Sequence, residues 1–145
     1  MSETVTCRIE FEMSYLMKVG GKYSLESHRV RFEAVVDSDK ASGQMIIRFE
    51  DLKRLMRNII PDGAIVFSED DVRNDLSMKR LVSIVREFSN SIIIIPTFDD
   101  LSAEKILQYL TMELEKLLNS QYPDVTIVET KFRENSESYV TMKLK

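Results

Sequence analysis

A chain of 145 residues with 43% apolar and 30% charged side chains has the size and composition of one folded domain, and this excludes an intrinsically disordered one. A net charge of -4 with the signs mixed along the chain leaves no basic run to track a phosphate backbone, so nucleic acid is not an expected partner. The single cysteine, Cys7, excludes an internal disulfide and a cysteine metal cluster, and the longest apolar run, Ile92 to Ile95, is far too short to cross a bilayer. The N-terminus is polar and then alternates, unlike a signal peptide, so the expectation is one cytoplasmic α+β domain over 1–145 with no membrane partner.

Residues 4–15 alternate strictly, with Val5, Cys7, Ile9, Phe11 and Met13 on one face and Thr6, Arg8, Glu10 and Glu12 on the other. That period of two predicts a half-buried antiparallel strand, in which Cys7 is a small buried hydrophobe. Gly20-Gly21 marks a turn, and 28–37 alternate again through Val30, Phe32, Ala34 and Val36. The pattern predicts a hairpin with a wide, function-bearing loop over 16–27. Asp37 to Gly43 reads as a polar turn and Gln44 to Ile47 as a short extended piece. Helical spacing follows over 49–60 through Phe49, Leu52, Leu55, Met56 and Ile59, with basic Lys53, Arg54 and Arg57 on the wet side. Pro61-Asp62-Gly63 ends that helix. A second helical pattern covers 76–88 through Leu81, Val82, Val85 and Phe88, and Ile92 to Ile95 reads as a buried extended run. The clearest helix spans Leu101 to Asn119, capped by Ser102, with Ala103, Ile106, Leu107, Leu110, Leu114, Leu117 and Leu118 as its stripe. Strands over 125–131 and 138–144 close the chain. Two hairpins flanking helices predict one four-stranded antiparallel sheet with helices packed on one face.

Polar residues on an apolar parity are the candidates for chemistry. His28, the only histidine, shares a face with Val30, Phe32 and Glu26. A glutamate and a histidine two apart on a strand are able to ligate a metal, although no further histidine or paired cysteine completes a set; the alternative is a histidine at the edge of a core. Glu129 follows Val125 and Ile127 on the inward parity, where a lone carboxylate is costly unless paired. It is suited to accept two hydrogen bonds from the N–H and NH2 edge of a pterin or guanine; the alternatives are a salt bridge to Lys143 or Arg31, or simple exposure. Asp62 reads as a turn residue. Neither a phosphate loop nor a nucleophile elbow is present.

Several segments, in order, resemble the 6-pyruvoyl-tetrahydropterin synthase family, which includes the 6-carboxy-tetrahydropterin synthases. Ile9-Glu10-Phe11-Glu12-Met13-Ser14-Tyr15 is similar to its first strand. Leu25-Glu26-Ser27-His28-Arg29-Val30 resembles its Leu-His-Gly-His-Asn-Tyr segment, and Arg48-Phe49-Glu50-Asp51-Leu52-Lys53 lies within a match to Val-x-Asp-Phe-x-Asp-Leu-Lys. Leu101-Ser102-Ala103-Glu104 resembles the Pro-Thr-Ala-Glu helix start, and Val128-Glu129-Thr130 the Val-x-Glu-Thr strand. The resemblance implies a tunnelling fold (T-fold) in which subunits join into barrels and sites lie between them, hence a homo-oligomer. It implies a pterin or purine-like ligand anchored by Glu129, with Thr130, Ser102 and Ala103 beside it. The family's three zinc histidines match Tyr15, Glu26 and His28, so one histidine remains and no cofactor is expected. The family's catalytic cysteine falls near Lys22, and its catalytic aspartate on Asp62, with glycine in place of the histidine after it. The expectation is a zinc-less member that binds such a ligand. The alternatives are a pterin lyase with a remodelled metal centre, and a non-catalytic paralogue that assembles with a partner.

Overall fold

The computed structural model describes residues 4–38, 47–96, 101–135 and 137–144. Strand β1 (Thr4–Val19) pairs antiparallel with β2 (Lys22–Ser38) along its whole length, from Thr4 opposite Asp37 to Val19 opposite Lys22. The wide loop expected over 16–27 is therefore strand. Toward this end both faces carry packed side chains, Tyr15 on one and Leu16 with Tyr23 on the other, so the clean apolar alternation is lost while the backbone ladder continues. Only Gly20 and Gly21 turn the chain, with φ of 57° and 81°. Both lie in the left-handed region that a two-residue turn between twisted strands demands.

Helix α1 (Phe49–Ile59) follows, then β3 (Ala64–Ser68), α2 (Glu69–Asn74), α3 (Leu76–Arg86), β4 (Ile92–Ile95), α4 (Ala103–Gln121), β5 (Val125–Arg133) and β6 (Tyr139–Lys143). The sheet order is β4-β3-β1-β2-β5-β6. The four expected antiparallel strands are present, and β3 and β4 extend them by parallel pairing, Met13 opposite Ala64 and Ile65 opposite Ile92. A short parallel strand covered on both sides has no alternation to read, which is why β3 escapes a search for period two. The expected turn and extended piece at 37–47 fall mostly on 39–46, outside the described residues; Ile47 is buried.

α1 and α4 layer one face of the sheet. Leu52, Leu55 and Met56 of α1 and Ile106, Leu110, Leu114 and Leu118 of α4 bury against Ile9, Phe11, Val30, Phe32 and Phe132. Cys7 belongs to this core: its thiol donates to the Phe49 carbonyl at 3.6 Å, and burial pushes its pKa up, as befits an inert hydrophobe. α3 makes a smaller cluster, packing Met78 and Val82 on Phe67 of β3. The stripe expected there is corrected: Leu81 and Phe88 face solvent, and Met78 with Val82 is the packed pair.

Beneath α4 the hydroxyls of Thr111 and Thr130 share a 2.8 Å hydrogen bond, both fully buried. Thr130→Val is expected to cost about 1–3 kcal/mol, because it leaves the Thr111 hydroxyl unpaired in the core. The double change to valine is expected to recover most of that loss. A double-mutant cycle by urea denaturation checks this, and additive losses would show that the pair is not coupled.

Candidate functional site

Tyr15, Glu26 and His28 do meet. Glu26 lies directly opposite Tyr15 across the hairpin, and His28 is one pair further along on the same, helix-covered face. The Tyr15 and His28 rings stack with centroids 5.6 Å apart at 23°. His28 Nε2 lies 3.8 Å from Glu26 Oε2. The Tyr15 hydroxyl donates to Glu134 Oε1 at 2.7 Å. Glu134 lies between the two strands that spacing predicts over 125–131 and 138–144. Thr130 and Phe132 point inward, and Glu134 continues that face just beyond the end of β5.

Tyrosine, glutamate and histidine differ from the histidine- and cysteine-rich donor sets that zinc usually takes. Burial, followed by the hydrogen bond and charge of Glu134, holds the Tyr15 phenol far above its ordinary range. Its proton is committed to Glu134. Glu26 and His28 remain as donors, and among the described residues no third histidine, cysteine, aspartate or glutamate is grouped with them.

Glu129 requires a correction of parity. Val35 pairs with Glu129 and Val36 with Ile127, so Val128 is the extra residue of a β-bulge. The bulge reverses the alternation: Val125 and Ile127 point inward before it, Thr130 and Phe132 after it. Glu129 therefore lies on the uncovered face with Lys131 and Arg133, half-buried between Val35 and Lys143. Among the described residues its carboxylate forms no hydrogen bond or ion pair, so neither Lys143 nor Arg31 holds it. Tyr15, Glu26 and His28 occupy the opposite face of the same sheet.

The other predicted residues are scattered. Lys22 sits at the hairpin tip. Asp62 is exposed in the turn after α1, where Oδ1 accepts from the Glu12 amide at 2.7 Å while Gly63 N–H donates to the Glu12 carbonyl, also at 2.7 Å. These bonds pin the turn to β1 next to where β3 joins it. Lys22 and Asp62 are separated by roughly 24 Å along the hairpin, the span from Val19 to Glu12 at about 3.4 Å per residue. Ser102 caps α4, its Oγ accepting from the Lys105 amide at 3.3 Å, with Ala103 beginning the helix beside it. Thr130 has its hydroxyl engaged under α4.

No protein-family model matches the chain. No curated protein matches it either. Solved structures do. An uncharacterised protein of Wolinella succinogenes superposes with a TM-score of 0.73 at 14% identity, over 100% of this chain and 99% of that one. The 6-pyruvoyl tetrahydropterin synthase of Plasmodium vivax gives 0.68 at 14% identity, over 98% and 97%. That of Caenorhabditis elegans gives 0.61 at 12%, over 100% and 97%. At such identities the likeness is one of fold, and it spans both chains almost end to end: this protein has the T-fold of the 6-pyruvoyl tetrahydropterin synthases.

Proposed function

We propose that this T-fold protein binds a pterin or purine-like heterocycle through Glu129 at a subunit interface, without zinc. The observation that carries the reading is the carboxylate at the β5 bulge, half-buried and unpartnered among the described residues. A carboxylate in that setting gains from a ligand edge that offers two N–H donors side by side. The neighbours named as synthases act on pterins by their names, which favours a pterin over other planar heterocycles. Glu129 and the Tyr15 cluster lie on opposite faces of one sheet, so a site using both draws them from different protomers. The sheet also ends in the open edges of β4 and β6, and the stretch of β2 before Arg31 has no partner on its outer side among the described residues. Such edges favour pairing with further copies.

The test is a thermal-shift titration with pterins, purines and GTP, with and without zinc, on wild type and Glu129→Gln. A ligand that binds only the folded state raises the midpoint. The expected result is a zinc-independent shift in wild type and affinity weaker by about 10–100-fold in Glu129→Gln, the worth of hydrogen bonds to a charged group. Equal shifts in both proteins overturn the role of Glu129. A monomer by sedimentation at micromolar concentration overturns the interface.

A second reading, a non-catalytic paralogue that assembles with a partner, has one observation in its favour. The outer side of α3 and the residues just after it expose Leu76, Ile84 and Phe88, at 62%, 54% and 83%. If no heterocycle shifts wild type, this reading takes the place of the first.

A further inference from the structure

The exposed end of α3, which favours a foreign partner by its apolar residues, also carries a pattern of charge, and that pattern favours a different occupant. The helical turn continues past Arg86: Glu87 keeps helical angles, and the amides of Phe88 and Ser89 donate to the Val85 carbonyl at 3.0 and 2.9 Å. Leu81, Ile84 and Phe88, all exposed, therefore share one arc of about 60° at 3.6 residues per turn. Met78 and Val82 pack on Phe67 of the sheet, so this arc forms one flank of the helix. Lys79 and Arg86 lie on the opposite flank, in solvent.

Arg80 and Glu87 border the apolar arc on its outer side. They are seven residues apart, close to two turns, so they stand on one line parallel to the helix axis with Ile84 between them. Both are exposed, and among the described residues neither side chain forms an ion pair or hydrogen bond. A guanidinium and a carboxylate set symmetrically about an apolar centre are self-complementary. A second copy, turned by half a revolution about an axis through that centre and perpendicular to the helix, runs its α3 antiparallel to the first. Arg80 then meets the partner's Glu87, and Glu87 meets the partner's Arg80. Ile84 meets the partner's Ile84, and Phe88 the partner's Leu81. An isologous contact asks for this arrangement, in which each part of a patch is answered by another part of the same patch. The cations Lys79 and Arg86 point away from the axis, so no like charges are brought together.

We infer that the apolar flank of α3 docks a second copy of this chain, antiparallel across a twofold axis near Ile84. The surface lies at the β4 end of the sheet, where Ile92 and Ile94 join the cluster of Met78 and Val82. It uses neither Glu129 nor the Tyr15 cluster, so it is independent of the heterocycle site. Covering Ile84 and Phe88 supplies the affinity, while two exposed Arg–Glu pairs at the rim fix register more than they add strength. One helix face per copy is a small interface, so pairing is expected at micromolar rather than nanomolar concentration.

Sedimentation of the full chain across the micromolar range tests this. Ile84→Asp is expected to lower the limiting mass by a factor of two. Arg80→Glu and Glu87→Arg should each weaken the pairing at least tenfold, because each sets like charges across the axis, and the double exchange should restore it. All these positions are exposed, and unchanged circular dichroism will show that the fold is kept. Ile84→Cys tests the geometry directly, since the one native cysteine, Cys7, is buried. Helices packed about 8–10 Å apart bring facing Cα atoms within reach of a disulfide. Oxidation should link Ile84→Cys into a covalent dimer and leave Lys79→Cys unlinked. The inference is overturned if Ile84→Asp sediments as wild type does, which would leave the flank to a foreign partner. It is equally overturned if the double exchange behaves as the single ones do, or if the two cysteine variants cross-link alike.

Discussion

Phe132→Ala should lower the unfolding free energy by about 3–5 kcal/mol, the cost of emptying a fully buried phenyl site. Phe132 is 0% exposed and lies opposite Phe32 of β2, itself 0% exposed, in the ladder that joins the two hairpins. The void would open under α4 at the seam between the first hairpin and the last, where Phe11, Ile106 and Leu110 are also held without solvent access. Interiors close only partly around such voids, so contacts are lost as well as burial. For a chain of this length the loss corresponds to a fall in Tm of roughly 10–15 °C. Scanning calorimetry with urea denaturation checks it. A loss under about 1 kcal/mol would mean that the seam repacks freely and is not where the two hairpins are joined.

Tyr15→Phe is expected to flatten the alkaline limb of the stability curve. The folded phenol is held above its ordinary range by burial and then by Glu134, so its folded pKa exceeds its unfolded one. Below the unfolded value, about pH 10, both states keep the proton and the stabilisation is complete. Above it the unfolded chain releases the proton and the folded chain does not, so stability falls by up to about 1.4 kcal/mol per pH unit for each such group. Tyr23, pushed up to about 12 by burial and its hydrogen bond to Asp75, adds to the same slope until its own pKa is passed. Tyr109, raised by burial and by Glu113, adds to it as well. Urea denaturation between about pH 8 and 11 should show a shallower decline in Tyr15→Phe than in wild type. Identical slopes would show that the Tyr15 phenol titrates freely and that its bond to Glu134 does not persist in solution.

Much of the architecture was legible because two periods dominate the sequence. The alternation of Cys7, Ile9, Phe11 and Met13 and the helical stripe of Ile106, Leu110 and Leu114 became the two layers of the core. Legibility ended where period and polarity part. Within residues 16–27, Leu16 and Tyr23 pack on the other face, against the Phe67, Met78 and Val82 cluster, so a continuous strand carries a loop-like composition there. β3 is covered on both sides and carries no alternation. At Glu129 the period was present and misleading, since one extra residue, Val128, reverses the face of everything after it. The same reversal makes Glu134 the partner of Tyr15. A bulge leaves no mark in composition, so neither the true face of Glu129 nor the contact of Glu134 was available from spacing alone. The resemblance did place Tyr15, Glu26 and His28 together, and the strand register agrees with that grouping.

The Gly20-Gly21 turn also sets the order in which the chain is able to assemble. Once Val19 meets Lys22, each further pair of the β1–β2 ladder closes a loop only slightly larger than the last, down to Thr4 and Asp37. The hairpin is thus the most local part of the sheet and is complete, in synthesis, by the time residue 38 has emerged. Its apolar stripe is covered in part once α1, ending at Ile59, has been made, and fully only after α4, ending at Gln121. At ordinary translation rates that interval is roughly 5–15 s. During it a long, sticky ribbon is attached to the ribosome, with both edges open. The feature that makes the fold quick to begin makes the nascent chain a natural client for chaperones, and Phe132, which joins the last hairpin to the first, arrives only after that exposure is over.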